Sequence, residues 1–457
     1  MLCGYSKALM NPPIGIPIAG SYDVMRSLDR LDDFYARAVA ISDGERRCVI
    51  VSVDICHMEN NDYDYCRKAI SECTGIDYDA VIVVCTHTHA GGRDAVDSAT
   101  LSNVYDEDRE KIVEFNKILR AAVIKSATEA LADMKPSRIY FAKDKVDGII
   151  NIRRFRMKDG SVVTNPGRHN PDVDHPLGEP NPAVKLIKIV REGAKDVYLV
   201  NFGMHATTVG WRTYLSSDYP GVICRTLESA LGVECAFLQG AAGDAVQINA
   251  FPSPDIEKIL EDDKAEKARN KRMATYVGHK IVGSILGIHN IAKEVASDKL
   301  VVRCAPMKVP TNKAGGDLEE AKRINELHNQ GRHPELPYKG MALVTVVANA
   351  KRIIRMQDEP DFYNYNLYSV AFGDIVFCCL PGEPFTALGL AVEEASSFEN
   401  TVVLSLTNCM TTYFPTTQAF SEGGYEVATT SVGAGTAEII AETAKNMLSE
   451  MKKEISD

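Results

Sequence analysis

Short apolar runs alternate with longer stretches of helical periodicity along this chain of 457 residues. Residues 47–55 (RCVIVSVDI) and 80–85 (AVIVVC) are nearly continuous apolar runs, which is typical of strands covered on both faces. Between 105 and 131, apolar residues recur mostly three or four positions apart, which predicts a long amphipathic helix. The alternation predicts a mixed α/β fold in which layered mixed β-sheets are flanked by helices.

Two segments interrupt this pattern, and we expect both to be surface insertions. Residues 165–182 contain five prolines, which exclude a helix interior or a central strand and predict an ordered loop. Residues 310–337 are polar, with one helix predicted over 318–329. Nothing along the chain resembles a flexible linker, so we expect residues 1–457 to form one large domain.

Composition and charge narrow the class of protein. The chain is 45% hydrophobic and 25% charged, which is typical of a globular protein in water. A net charge of -11 argues against a general nucleic-acid binder, and no apolar run of about 18 residues predicts a transmembrane helix. The first ten residues lack the features of a signal peptide, and the twelve cysteines form no CxxC pair. We therefore expect a cytoplasmic protein with reduced thiols.

A pair of histidines follows the apolar run at 80–85, in the sequence THTHAGG. Residues two apart in an extended segment point to the same side, so we expect His87 and His89 to converge. The end of a buried strand is also where open α/β sheets bind ligands. A metal or catalytic site is one interpretation, and two polar residues that merely end a strand are the other.

Three further residues follow other predicted strands. His205 (in NFGMHATT) is ordinarily a hydrogen-bonded structural histidine, but neutral imidazole is also a common zinc ligand. Glu383 (in LPGEP) is explained either by helix capping or as a ligand brought to the edge of a sheet. Asp244 (in QGAAGD) lies in a tight loop and is a candidate to support a ligand from behind.

The order and spacing of these motifs resemble the catalytic domain of the neutral/alkaline, non-lysosomal ceramidase family. THTHAGG, NFGMHATT, QGAAGD and PGEPFT each look like a segment of that family, and NIRR resembles its Asn-Ile-Asn-Arg. The stretch from Tyr413 to Glu426 is similar to the family's two-tyrosine segment, with the same separation of its tyrosines. The similarity runs from about residue 3 to 430, and we expect no C-terminal immunoglobulin-like domain.

The resemblance implies a role for seven residues. One zinc ion would be bound by His87, His205, Glu383 and Tyr413; His89 would take the proton of the zinc-bound water; and Tyr425 and Arg154 would hold the substrate and the oxyanion. Zinc lowers the pKa of a bound water to about 7 and polarises a carbonyl group. The resemblance therefore implies a zinc-dependent amide hydrolase whose small-molecule substrate is ceramide or another N-acyl amide.

Two other functions remain open from the sequence. A metallo-β-lactamase-like hydrolase also begins its metal motif with Thr-His-x-His, but it needs Asp and His where this chain has Gly91 and Gly92. The other is a non-catalytic binding protein that retains the fold. The convergence of so many polar groups in a desolvated pocket argues against it, because their burial without a ligand is costly.

Overall fold

The computed structural model describes residues 1–20, 24–95, 106–209, 213–248, 250–262, 265–296, 299–313, 316–409 and 412–456. In chain order, the strands in these ranges are β1 Leu2–Leu9, β2 Asp29–Arg30, β3 Tyr35–Ser42, β4 Arg47–Val53, β5 Val81–Cys85, β6 Lys135–Lys145, β7 Asn151–Ile152, β8 Arg154–Met157, β9 Val162–Thr164, β10 Val173–Pro176, β11 Ala183–Arg191, β12 Val197–Phe202, β13 Tyr214–Leu215, β14 Glu234–Gln239, β15 Ala245–Val246, β16 Lys293–Glu294, β17 Leu300–Pro310, β18 Phe362–Phe372, β19 Ile375–Cys379, β20 Glu383–Pro384, β21 Asn400–Leu404 and β22 Tyr413–Phe414. The α-helices are α1 Asn60–Thr74, α2 Asp106–Ala132, α3 Asp218–Leu231, α4 Pro254–Asp262, α5 Glu266–Ile288, α6 Leu318–Asn329, α7 Gly340–Arg355, α8 Thr386–Ala395, α9 Thr417–Glu422, α10 Tyr425–Thr429 and α11 Thr436–Ser456.

Two mixed sheets dominate the structure. The main sheet has the order β14-β12-β11-β6-β1-β3-β4-β5, with β16 paired to β6, and the second sheet has the order β17-β18-β19-β21. Pairs β4–β5, β12–β14 and β19–β21 are parallel, whereas the other pairs in these two sheets are antiparallel. The predicted mixed α/β class is therefore confirmed.

The two sheets pack against each other and are flanked by helices. Ile375 and Phe377 on β19 belong to the same buried cluster as β4 and β5, whereas Val376 and Cys378 face the core formed with α8 and α11. This alternation is the two-residue period of a strand buried on both faces. Helix α2 covers β1 and β3, and α3 packs against β14. The described residues thus form one layered domain, as the sequence predicts.

The main sheet also curls so that its two ends meet. The hydroxyl of Ser52 on β4 donates a hydrogen bond to the carbonyl of Phe237 on β14, at 2.5 Å. The hydroxyl of Tyr5 on β1 similarly donates to the carbonyl of Cys235, at 3.1 Å. Segments that follow β5 and β12 are therefore neighbours, although their strands are far apart in the order of the sheet.

The first predicted insertion is not entirely a loop. Residues Val173–Pro176 within it form β10, which pairs with β8 at the edge of a three-stranded sheet. Pro176 is the last residue of that strand, where the missing amide hydrogen costs little because an edge strand needs no donor on its open side. The prolines exclude a central strand, as predicted, but they permit an edge strand.

The second predicted insertion contains α6, whose bounds agree with the predicted 318–329. Helices α6 and α7 form a pair that we call the α6–α7 hairpin, and its buried side chains form a core of their own: Ala321, Ile324, Leu327, Leu336, Val347, Ala350 and Ile353. Arg352 fastens the hairpin to the main body by donating to the carbonyls of Asn312 (2.6 Å) and Ala428 (3.1 Å). Among the described helices, none is long and apolar enough to cross a membrane.

Candidate metal centre

His87 lies two residues beyond β5 in a left-handed backbone conformation, with φ of 64°. The segment is therefore not extended, and the prediction that the two histidines converge because they lie two apart in an extended segment was wrong in its reason. The histidines nevertheless meet, since the Nε2 atoms of His87 and His89 are 3.2 Å apart. The turn is fixed by a hydrogen bond from the His87 amide to the carbonyl of Ile55, at 3.0 Å. A non-glycine residue in this region is uncommon and is concentrated at functional sites.

His205 reaches His87 because the segments that follow β5 and β12 pair with each other. Thr88 and Ala206 form a parallel bridge, and the His89 amide donates to the Ala206 carbonyl at 3.0 Å. The pairing sets His87 beside His205, with ring centroids 4.5 Å apart. Both imidazoles are buried.

Glu383 completes the group from the second sheet, beyond the end of β19. The Leu406 amide donates to the carbonyl of Gly382 (2.8 Å), and Asn408 accepts a hydrogen bond from the amide of Val83 on β5 (2.8 Å). These bonds hold the edge of the second sheet against β5. The Oε2 atom of Glu383 consequently lies 3.2 Å from His87 Nε2 and 3.1 Å from His205 Nε2.

The three residues, which we call the ligand cluster, are suited to bind a metal ion. One ligand atom from each lies within 4.8 Å of the others. The Nδ1 atoms are occupied by carbonyls, that of Cys56 for His87 (2.9 Å) and that of Ala242 for His205 (2.6 Å). Each carbonyl fixes the tautomer with the proton on Nδ1, so both Nε2 lone pairs point to a common centre.

The Oε2 atom of Glu383 gives an independent indication of a cation. It is buried, and no described residue offers it a hydrogen bond of good geometry, although two imidazoles lie within 3.2 Å. Leaving a buried carboxylate oxygen without a donor is unfavourable. A divalent ion between the three atoms removes that cost, and two imidazoles with one carboxylate are a donor set that suits zinc.

The two imidazoles of the ligand cluster differ in their protonation state. Burial, followed by the charge of Arg153, lowers the pKa of His205 to about 3, so His205 is neutral at pH 7. Burial also disfavours the charged form of His87, but the carboxylate of Glu383 outweighs it and raises the pKa of His87 well above its usual value. Burial alone would raise the pKa of Glu383, yet His87 holds it well below its usual range. Without metal, the positive charge of His87 therefore balances the negative charge of Glu383 in an ion pair, although the two groups make no hydrogen bond of good geometry.

Tyr413 lies beside the ligand cluster. Its ring stacks on the imidazole of His205 at a centroid distance of 6.5 Å, and the guanidinium of Arg153 lies 5.2 Å from its ring centre. Burial and the nearby charge of Glu383 raise the pKa of its phenol. These contacts place the ring of Tyr413 beside His205, and its role as a ligand stays a prediction.

His89 and Tyr425 lie close to the ligand cluster. His89 is half-buried and faces a cavity of about 590 Å³. The ring of Tyr425, the first residue of α10, packs edge-on against Tyr413 at 5.8 Å. Proton transfer by His89 and substrate binding by Tyr425 remain predictions that agree with these positions.

The two adjacent arginines have different surroundings. Arg154, predicted to bind the oxyanion, is buried; it donates to the Gly423 carbonyl (2.7 Å) and pairs with Glu422 (3.2 Å). Arg153 is buried as well and donates to the Glu426 carboxylate (2.8 Å) and the Gly243 carbonyl (2.8 Å), but its Nη1 atom lies 3.3 Å from His205 Nε2 and the residue lines the cavity. The contacts thus favour Arg153 at the site, a residue to which the sequence reasoning gave no role.

The turn after β14 positions the ligand cluster from behind. The amide of Gly243 donates to the carbonyl of Pro384 (2.8 Å), and a Cβ atom at Gly243 would lie 2.5 Å from the carbonyl oxygen of Glu383. Asp244 accepts hydrogen bonds from the amide (2.7 Å) and hydroxyl (2.8 Å) of Thr386, at the start of α8. The motif QGAAGD therefore fixes the backbone that carries Glu383, as expected of a supporting carboxylate.

Cys56 is a further neighbour of His87, and no role for it was predicted from the sequence. Its Sγ atom lies 3.7 Å from His87 Nδ1, and Cys56, His87 and His89 form a second group with metal-ligand spacing. This group shares His87 with the ligand cluster. The proximity of Cys56 to His87 could have been predicted from the sequence. Cys56 follows β4, and the parallel strands β4 and β5 end at the same edge of the sheet.

The fold and the site together define a class: a layered mixed α/β protein with a candidate metal centre beyond the ends of three strands. Two solved structures that resemble this chain in fold are ceramidases. The crystal structure of neutral ceramidase from Pseudomonas aeruginosa matches with a TM-score of 0.73 and 17% identity, over 99% of this chain and 75% of that one. A ceramidase complexed with C2 matches with a TM-score of 0.70 and 15% identity, over the same shares of the two chains. No family model and no curated protein sequence matches the chain. The comparison therefore establishes the fold of neutral ceramidase for this chain.

Proposed function

We propose that this protein is a zinc-dependent hydrolase that cleaves the amide bond of small N-acyl amides. One observation carries the proposal: on the fold of neutral ceramidase, His87, His205 and Glu383 gather one ligand atom each within 4.8 Å of the others. The cavity faced by His89 and Arg153 lies next to this cluster and has room for a small molecule. Ceramide is one candidate substrate, and other N-acyl amides are the alternative.

The chemistry divides between the metal and the side chains around it. Bound zinc would supply a Lewis acid for the amide carbonyl and an acidic water. His89, half-buried and facing the cavity, is placed to accept a proton and to return it to the leaving amine. Arg153 brings a fixed positive charge to the same cavity, where it stabilises negative charge on the acyl oxygen. Asp244 and the two backbone carbonyls on Nδ1 keep the ligand cluster in position.

The test combines elemental analysis with hydrolysis assays. The purified protein is assayed for zinc content and for release of fatty acid from a panel of N-acyl amides. We expect about one zinc ion per chain and hydrolysis of at least part of the panel. His87→Ala should lose both zinc and activity. His279→Ala, which changes an exposed histidine on α5, is the matched control and should lose neither.

Three results would contradict the proposal. Full turnover by the metal-free protein would exclude the zinc-dependent reaction. Two metal ions per chain, both required for turnover, would favour a metallo-β-lactamase-like dinuclear hydrolase. Tight ligand binding without hydrolysis of any amide would indicate a binding protein that has only the fold.

A further inference from the structure

The lining of the cavity separates into polar and apolar parts. The polar residues include His89 and Arg153, which adjoin the ligand cluster, and also Asn165, Arg168, Thr207 and Gln247. The last two satisfy each other, because the Thr207 hydroxyl donates to Gln247 Oε1 (2.9 Å) and Gln247 Nε2 donates to the Thr207 carbonyl (2.7 Å). The apolar part of the lining consists of Val209, Val246, Ile248, Met341 and Val344.

Two of the apolar residues come from the first turn of α7. Met341 and Val344 are three positions apart and therefore lie on one face of the helix. Both are only half-buried, whereas Val347 and Ala350, farther along α7, are buried in the separate core of the α6–α7 hairpin. The hairpin therefore does not need Met341 and Val344 for its own packing. A flexible methionine at such a position adapts readily to an apolar ligand.

We propose that the first turn of α7, through Met341 and Val344, binds an unbranched alkyl chain of the substrate and sets the length of chain that is accepted. The inference rests on the proposed amide hydrolysis. It adds the residues of the protein that select among possible substrates. Burying one methylene group is worth about a fourfold change in an equilibrium or rate constant. A wall that stops the chain therefore produces a preferred length.

The alkyl chain belongs either to the acyl group or to the amine, and two series of substrates separate these sources. In one series the acyl chain grows while the amine stays constant, and in the other the amine carries the growing chain on an acetyl amide. The wild-type kcat/KM should rise about fourfold per methylene in one series and then reach a maximum. The series that shows this maximum identifies the chain that α7 contacts.

Variants of α7 test the wall directly. Val344→Phe narrows the cavity and should lower the ratio of kcat/KM for the longest to the shortest substrate by at least about tenfold, the equivalent of two lost methylenes. Met341→Ala widens it and should move the maximum to longer chains. Ala342→Phe adds the same aromatic group at an exposed position on the same helical turn and is the control. Length profiles that are identical in Val344→Phe and Ala342→Phe, in both series, would overturn the inference.

A binding measurement separates this inference from the proposed reaction. A dansyl-labelled undecanoic acid is titrated into the wild-type protein, Val344→Phe and Ala342→Phe, all with zinc. Weaker binding to Val344→Phe alone supports the alkyl site even if no amide is hydrolysed, in which case only the reaction fails. Hydrolysis with unchanged length profiles and equal probe binding refutes the alkyl site and leaves the reaction standing. Absence of both hydrolysis and probe binding refutes both.

Discussion

Glu383 and Tyr413 are register partners in a parallel ladder of two residues per strand, formed by β20 and β22. The Glu383 amide donates to the carbonyl of Thr412 at 3.2 Å, and the Phe385 amide donates to that of Phe414 at 3.3 Å. The ladder sets the backbone of Tyr413 in place next to the carboxylate, and its ring then stacks on His205. A fourth protein group is thereby brought to the ligand cluster by backbone pairing.

Replacement of Tyr413 tests whether its hydroxyl is a ligand. Tyr413→Phe keeps the ring that packs on His205 and removes only the oxygen. We expect zinc affinity to fall at least about tenfold, as measured by competition with a chelator, because one coordinating group is lost. Tyr425→Phe should keep the zinc affinity of the wild type, since that ring packs against Tyr413 and was predicted to hold the substrate rather than the metal. Equal zinc affinity in Tyr413→Phe and the wild type would remove Tyr413 from the ligand set.

The adjacent arginines allow a paired test of which one acts at the site. Arg153→Lys removes the guanidinium that lies beside His205 and Tyr413, so we expect kcat/KM to fall about a hundredfold. The free energy of unfolding should fall as well, by about 1–3 kcal/mol, because the bonds of Arg153 to Glu426 and Gly243 are buried. Arg154→Lys should lower the free energy of unfolding by a similar amount, because its bonds to Gly423 and Glu422 are buried, but its loss of kcat/KM should be much smaller. Kinetics and urea unfolding of both variants decide between them. A larger loss of kcat/KM in Arg154→Lys would restore the role implied by the sequence resemblance.

Gly20 packs against the imidazole of His89 and provides a test of that residue without altering it. A Cβ atom at Gly20 would overlap His89 Nδ1, whereas at Gly44 it would meet nothing within 4 Å. Both glycines have positive φ, 78° and 99° respectively, so alanine at either position costs about 1 kcal/mol of stability. Only Gly20→Ala should also lower kcat/KM, by about a hundredfold for a displacement near 1 Å. Unchanged kcat/KM in Gly20→Ala would argue against a catalytic role for His89.

The sequence predicted those parts of the fold and site that depend on local patterns. Apolar runs predicted β4, β5, β12 and β14. Three-to-four spacing predicted α2 from its first described residue onward. Tyr105, where that pattern begins, lies outside the described residues. The two eleven-residue strands β17 and β18 were not predicted. Their burial is alternating or intermediate over about half their length, and tyrosines, asparagines and lysines interrupt the apolar pattern. Pairing with each other stabilises them, and this information is not local.

The site was predictable in its residue types and less so in its geometry. The positions just after predicted strands identified His87, His205 and Glu383 as candidates. Their ligand atoms lie close together in the structure. The bridge between Thr88 and Ala206 depends on the curl of the main sheet, which no segment of sequence encodes alone. Arg153 lies between β7 and β8, so alternation along a strand does not fix its direction. Only the structure therefore shows which of the two adjacent arginines, Arg153 or Arg154, lies beside His205.

Gly243 tests the support behind Glu383. A Cβ atom there would lie 2.5 Å from the Glu383 carbonyl oxygen, which belongs to the backbone and cannot rotate away. We expect Gly243→Ala to lower the free energy of unfolding by about 1–3 kcal/mol and to weaken zinc binding, because the ladder must shift. Gly283→Ala, at an exposed position inside α5 with nothing within 4 Å, should instead stabilise the protein by about 0.5–1 kcal/mol. Normal zinc affinity in Gly243→Ala would show that the turn does not position Glu383.

Zinc binding should release a proton, and the ligand cluster identifies its source. The carboxylate of Glu383 raises the pKa of His87 well above its usual value, so at pH 7 the metal-free protein holds His87 protonated. Zinc needs the Nε2 lone pair and therefore displaces that proton. His205, with a pKa of about 3, is already neutral, and Glu383 is already ionised, so neither adds to the release.

Calorimetric titrations in buffers of different ionisation enthalpy measure this release. We expect at least about one proton per zinc ion at pH 7, because ionisation of the Tyr413 phenol or of a zinc-bound water would add to the proton from His87. Below the pKa of His87, the affinity should rise by at least about tenfold per pH unit. Glu383→Gln removes the larger of the two charges that raise the pKa of His87, that of Cys56 being the other, so its proton release should fall along with its zinc affinity. A wild-type protein that binds zinc at pH 7 without releasing a proton would show that the His87–Glu383 ion pair does not exist in the metal-free state.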